Sequence, residues 1–170
     1  SSAASDVYKR QLFYTQLIPI QANVDKLKEA IKKQGTPLVI KGIGGSGKTS
    51  LCQLFYKKAE PNYEHLIWIT VHGGNFDCFF SEVSLLEKFN IPLFSNYENK
   101  ARKRKIIVKA FKKQKGRKLL IIDALDTEIK RHEAIFLKQL QQEAECTVII
   151  SSRYYFCLLY TSDAADEKVR

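Results

Sequence analysis

Eight consecutive residues, Gly42-Ile43-Gly44-Gly45-Ser46-Gly47-Lys48-Thr49, combine glycines, a lysine and a hydroxyl at a spacing suited to holding phosphate. Glycine reaches backbone conformations that a Cβ obstructs, so successive N–H groups can turn toward one anion while the following helix offers its positive end. Lys48 adds a mobile charge for the outer phosphates. The hydroxyl of Thr49 stands one residue on, where it can coordinate Mg²⁺ bridging the terminal phosphates of ATP or ADP, and Ser50 completes the expected nucleotide-binding set. The competing reading is a glycine-rich turn without a ligand.

Two further residues belong to the same chemistry. Asp123 ends the apolar run Leu119-Leu120-Ile121-Ile122, and a carboxylate there needs a compensating ion or hydrogen bonds. It is read as the acid that holds Mg²⁺ through water, with a turn cap as the plain alternative. Arg153 ends Ile149-Ile150-Ser151-Ser152-Arg153. Its guanidinium either reaches a terminal phosphate and distinguishes ATP from ADP, or is an ordinary surface arginine.

The elements that must position these residues follow from periodicity. Ala22 to Lys33 reads as an amphipathic helix with Val24, Leu27, Ala30 and Ile31 on one face, ended by Gly35 and the Thr36-Pro37 step. Pro37 to Ile40 reads as a buried strand, and Thr49 to Lys58 as a helix with Leu51, Cys52, Leu54 and Phe55 on its stripe. Leu66 to Val71 is a second apolar strand. Asn75 to Phe89 reads as one helix carrying Phe76, Phe79, Phe80, Val83, Leu86 and Phe89. A basic helix covers about Lys100 to Lys115, stopped by Gly116. Leu119 to Asp123 is a third strand, Thr127 to Gln142 a helix with Ile129, Ile135, Phe136 and Leu140, and Thr147 to Ser151 a fourth strand. Continuous apolar strands alternating with helices imply an α/β three-layer sandwich around a mostly parallel sheet, with ligands beyond the carboxyl ends of the strands. The glycine loop, Asp123 and Ser151 to Arg153 all fall at such ends.

The two ends of the chain are set apart. Residues 1–11 and 157–170 resemble translated sequencing-adapter sequence, since one DNA word can encode Ser1 to Gln11 forward and Cys157 to Glu167 as its reverse complement. The domain is therefore expected over residues 12–156. Net charge is +10, and setting the ends aside leaves that balance unchanged. Much of the excess lies between Lys100 and Lys118, which holds eleven Lys or Arg and no acid. At 45% hydrophobic residues the chain can bury a core, and no run approaches membrane-spanning length. Cys52, Cys78 and Cys146 lack the spacing of a zinc site or disulfide framework and read as reduced core thiols. The expected location is cytoplasmic, with no membrane partner.

The order GIGGSGKT, IWITV, KLLIIDALD and VIISSR resembles the NB-ARC class of signal-transduction ATPases, over most of Pro37 to Arg153. The resemblance implies that Gly42 to Thr49 bind nucleotide phosphates, that Asp123 serves Mg²⁺, and that Arg153 is the sensor arginine for the γ-phosphate. It implies a nucleotide-binding switch that controls fused effector and sensor domains, forms a homo-oligomer at full length and hydrolyses ATP slowly. It also implies a sheet truncated before its last strand, which leaves Leu38 to Ile40 an uncovered apolar edge and the chain poorly soluble. Two departures stand out. Ala124 occupies the position where the family commonly has a second acid, with Asp126 two residues later, and Ile18 to Ala22 lacks the family's Gly-Arg pair that helps hold adenine.

Two other functions use the same loop. A small-molecule kinase suits the glycine spacing and is distinguished by acceptor-dependent turnover. A nucleic-acid-stimulated ATPase would use the eleven cations, but only Phe111 interleaves them, so a solvated helix face is the better reading and a nucleic-acid partner is not expected.

Overall fold

Five parallel strands in the spatial order β1-β2-β5-β4-β3 form the centre of the computed structural model, which describes residues 14–16, 24–32, 37–41 and 47–153. Along the chain these are β1 (Tyr14–Gln16), α1 (Val24–Lys32), β2 (Leu38–Lys41), α2 (Lys48–Ala59) and β3 (His65–Thr70), then α3 (Val83–Lys88), α4 (Lys100–Lys113), β4 (Lys118–Asp123), α5 (Arg131–Glu143) and β5 (Cys146–Ser152). Short 3-10 turns cover Glu60–Asn62 and Phe76–Ser81.

The central strands are apolar without alternation because both faces are covered. Val39, Leu120, Ile122, Val148 and Ile150 face a core closed by α3, α4, α5 and the Phe76–Ser81 turn. Leu38, Ile40, Leu119, Ile121 and Ile149 face a second core closed by Leu27 of α1 and by Leu51, Cys52 and Phe55 of α2. The expected three-layer architecture is thus present. β3 alternates, and it is an edge strand: Ile67 and Ile69 are buried while Leu66 and Trp68 are half-covered, Trp68 meeting Tyr56 edge-on.

Several expectations change. The edge of β2 is not bare: Tyr14–Gln16 pairs along it in parallel register, Tyr14 opposite Leu38 and Gln16 opposite Ile40. The uncovered-edge argument for poor solubility therefore fails, because α1 turns the chain back and lets the preceding segment supply a strand. Asn75 to Phe89 is not one helix. Glu82 is extended at φ −71° and ψ 103°, and the break lets Phe76, Phe79 and Phe80 gather around Phe136 before Leu85 and Leu86 enter the core. α3 then ends in a Schellman turn, with Asn90 at φ 55° and the Ile91 N–H donating to the Leu86 carbonyl at 2.8 Å.

The last helix starts at Arg131 rather than Thr127. Glu133 accepts the Lys130 N–H at 2.9 Å, and Ile129 and Ala134, both buried, bracket that first turn as a hydrophobic staple. Leu54, Val83 and Ile135, expected on buried stripes, are exposed. Their helices turn a narrower face to the sheet than the apolar count suggests. Lys118, counted within the solvated basic stretch, is buried, its Nζ donating to the carbonyls of Gly116 and Ala144 at 3.0 and 2.9 Å.

Candidate functional site

The chain passes from β2 to the far edge at β3 and returns through β4 to β5, which lies beside β2. Such a switch in strand order opens a crevice at the carboxyl ends, and α2 crosses it, packing over β4 and β5. Gly47 stands at the helix N-cap with φ 83°, a conformation that suits glycine. Lys48 and Thr49 form the first turn of α2. Gly42, Ile43, Gly44, Gly45 and Ser46 lie outside the described residues.

Thr49 and Asp123, 74 residues apart, meet here. Thr49 Oγ1 donates between the two carboxylate oxygens, at 3.1 and 3.2 Å. Asp123 is only 5% exposed, and Ser151 Oγ donates to its Oδ1 at 2.5 Å. Ser151 also accepts the Ala124 N–H at 2.9 Å, tying the turn after β4 to β5. Two neutral hydroxyls, those of Thr49 and Ser151, thus donate hydrogen bonds to this buried carboxylate. The donor set of one hydroxyl and one carboxylate, both hard oxygens, fits Mg²⁺, with Thr49 exposed on the rim.

Cys52, one turn beyond Thr49, reports the local field. Burial pushes its thiol up to about 12, the charge of Asp123 adds to that, and Lys48 opposes it. Both charges of the expected site therefore act on one buried atom.

Arg153 stands at the end of β5, as its position in the chain suggested. Its backbone N–H donates to Asp126 Oδ1 at 2.7 Å and its Nε lies 3.1 Å from Asp126 Oδ2. The side chain is half-exposed. Asp126 is thus engaged with Arg153, in a turn where Ala124 takes φ 59° and the Asp126 N–H returns to the Ala124 carbonyl at 2.8 Å. The structure brings Thr49 and Asp123 together; Ser50 is exposed on the same first helical turn.

The sequence placed Ser151 at the ligand end of its strand but assigned its hydroxyl no part in holding Asp123. Its signal was present, a hydroxyl at the tip of an apolar strand beside the one carrying Asp123. Cys52 and Cys146 are free and buried, while Cys78 is half-buried against the core rather than within it. Among the described residues no cluster of His, Cys, Asp and Glu forms a metal centre of that kind, and no helix is long and apolar enough to cross a membrane.

A parallel sheet, a glycine-preceded helix at its switch point and a strand-tip aspartate facing that helix's first hydroxyl define the P-loop nucleoside-triphosphatase class. Within that class the model of the NB-ARC domain matches residues 20–161, and the chain belongs to the NB-ARC family. It is a nucleotide-binding module of the signal-transduction ATPase type. No curated protein matches the chain.

Proposed function

We propose that this chain is an ATP/ADP-dependent switch in which the phosphate tail lies over residues 42–50 and Mg²⁺ is held by Thr49 and Asp123. The observation that carries the proposal is the Thr49–Asp123 contact, since a helix-first hydroxyl and a strand-tip carboxylate meet across the crevice. A bound divalent cation would neutralise the terminal phosphates and supply Lewis acidity there. Lys48 contributes a point charge toward the same tail, and Ser151 holds the Asp123 carboxylate in orientation. Arg153 reads the γ-phosphate, which requires its guanidinium to leave Asp126.

With Ala124 in place of a second acid and Asp126 engaged by Arg153, turnover is slow, and nucleotide identity rather than flux is the output. The domain spans residues 12–156, and the responding parts are fused effector and sensor domains of a cytoplasmic homo-oligomer. Titration calorimetry with ATP and ADP, with and without Mg²⁺, tests this. Binding should depend on Mg²⁺ and weaken about tenfold or more in Lys48→Ala. Heatless titrations with every adenine and guanine triphosphate would end the proposal.

One observation favours the kinase reading. A polar cavity of about 240 Å³ at the same sheet rim is lined by Asp77, Lys100, Thr127, Lys130 and His132, among others, with room for a small acceptor. A coupled assay across polar metabolites separates the two readings, since only a kinase shows acceptor-dependent ADP release.

A further inference from the structure

The basic helix α4 is built against its own stability. Lys100, Arg102, Lys103, Arg104 and Lys105 crowd its first turns, where the helix dipole disfavours cations, and no acid is present. Lys100 and Arg104, Lys105 and Lys109, and Lys109 and Lys113 stand four apart, where like charges repel. A few of these charges are answered within the domain: Lys100 pairs with Asp77, Lys112 lies 3.9 Å from Glu143, and Lys103 sits over the rings of Phe80 and Phe94. Lys105, Lys109 and Lys113 are exposed and have no carboxylate partner among the described residues.

Beside this unanswered row runs a groove of about 370 Å³, walled by Phe89, Ile91, Pro92, Ile106 and Ala110, with Lys109 and Lys113 on its rim. It lies between the turn that ends α3 and the carboxyl-terminal half of α4. Because α4 leads directly into the start of β4, the groove is at the opposite end of the sheet from Asp123. Its floor is aliphatic. The one aromatic lining it, Phe89, is 3% exposed and stacked on Phe111 at 4.0 Å, so no ring face is offered to a nucleic-acid base.

We infer that this groove docks an acidic amphipathic helix of a partner protein. An apolar ridge at i, i+3, i+4 and i+7 enters between Ile91, Pro92, Ile106 and Ala110, and carboxylates flanking that ridge meet Lys105, Lys109 and Lys113. Charge complementarity selects the occupant: an apolar groove alone accepts any hydrophobic segment, whereas a rim of unanswered lysines favours one edged with Asp and Glu. Such a partner also relieves the like-charge repulsion along α4. The surface is separate from the nucleotide site, so its occupancy does not require nucleotide.

The test is fluorescence anisotropy on the full chain with a labelled peptide of about 18 residues, five helical turns, with Leu at the ridge positions and Glu elsewhere. The comparison probes are the same residues in shuffled order, single- and double-stranded DNA, and phosphatidylserine vesicles. The amphipathic peptide should bind at least about tenfold more tightly than its shuffle. Ala110→Trp, which fills the groove, and Lys109→Glu with Lys113→Glu, which reverses the rim, should each weaken it about tenfold, with melting temperature and ATP binding unchanged by the surface pair. No binding, equal binding of the shuffled peptide, or DNA or vesicles binding as tightly would each overturn the inference. Indifference to the rim reversal, which leaves packing untouched, would do so even if Ala110→Trp failed to fold.

Discussion

Replacing Ser151 by alanine removes one oxygen that serves two buried groups. That oxygen donates to the Asp123 carboxylate at 2.5 Å and accepts the Ala124 N–H at 2.9 Å, in a residue only 1% exposed. A hydrogen bond to a charged acceptor contributes about 1.5–3 kcal/mol, and an orphaned buried donor costs about 1–3 kcal/mol. Ala124 is half-buried, so water can recover part of the second loss, and the expected destabilisation is about 3 kcal/mol. For a chain of this size that corresponds to a fall of roughly 9 °C in melting temperature. Urea unfolding of the full chain, followed by far-UV circular dichroism, measures it directly. Ser152→Ala is the internal control: Ser152 is equally buried, but its hydroxyl donates to the neutral carbonyl of Leu125 at 2.7 Å and should cost less. If Ser151→Ala lies within about 0.5 kcal/mol of the parent, or costs no more than Ser152→Ala, the carboxylate is not being held as described. A second readout separates the site from the fold. With the Ser151 contact gone, Thr49 is the hydrogen-bond donor left to Asp123 among the described residues, and the Mg²⁺ dependence of ATP binding should weaken while Mg²⁺-independent binding changes little.

Other consequences follow from single contacts. Ala124→Gly should stabilise the chain by about 0.5–1 kcal/mol in the same unfolding experiment, because residue 124 stands at φ 59° and glycine adopts that conformation without strain. Gly116→Ala should destabilise by about 2 kcal/mol or more: φ is +102°, and the added Cβ meets Glu64 at 2.9 Å, a side chain pinned by its 2.6 Å bond to the Arg117 N–H. In native protein at pH 8, mass spectrometry after iodoacetamide treatment should find Cys52 and Cys146 unlabelled, since burial raises both thiols to about 12, and both should label in urea. The same shifts fix a pH profile. The unfolded thiols release protons near 9.0 and the folded ones near 12, so stability falls as pH rises across that window, and Cys52→Ala should flatten the slope. Lys118 acts with the opposite sign: burial lowers its folded value, so the unfolded chain holds that proton longer and rising pH adds stability.

What the sequence made legible is what local periodicity encodes. Runs such as Leu119 to Ile122 and Val148 to Ile150 could only be strands covered on both faces, and both are. Helix faces were less legible. Leu54 and Ile135 fit an apolar stripe by spacing, but how wide a stripe the sheet covers depends on how the helix is rolled against it, a tertiary quantity. The break at Glu82 was hidden for a related reason. Phe76, Phe79 and Phe80 satisfy helical spacing, yet they are gathered by Phe136, sixty residues downstream in the Phe76–Phe136 pair, which no local window contains. The strand on the β2 edge was illegible because three residues carry too little pattern to announce a partner.

The site divides along the same line. Thr49 and Asp123 were readable because each residue type is unusual where it stands, a hydroxyl after Gly-Lys and a charge after four apolar residues. Ser151 and Asp126 were not, because serine and aspartate are ordinary at strand ends and in turns, and their roles exist only in register. β4 and β5 pair Ile122 with Ile150, so the residues next along, Asp123 and Ser151, come to the same height on neighbouring strands. The turn that follows returns the Leu125 N–H to the Ser151 carbonyl at 3.0 Å and carries Asp126 to Arg153. The carboxylate expected to hold metal and the arginine expected to read phosphate are therefore joined through one short loop with a left-handed alanine at its bend. A displacement of Arg153 toward a ligand must disturb Asp126, and through that turn the Ala124–Ser151–Asp123 chain of hydrogen bonds. On the proposed reading this loop couples the two halves of the site, and replacing Asp126 by alanine should alter the ratio of ATP to ADP affinity and the Mg²⁺ dependence together. If either changed without the other, or neither changed, the loop would not be the connection.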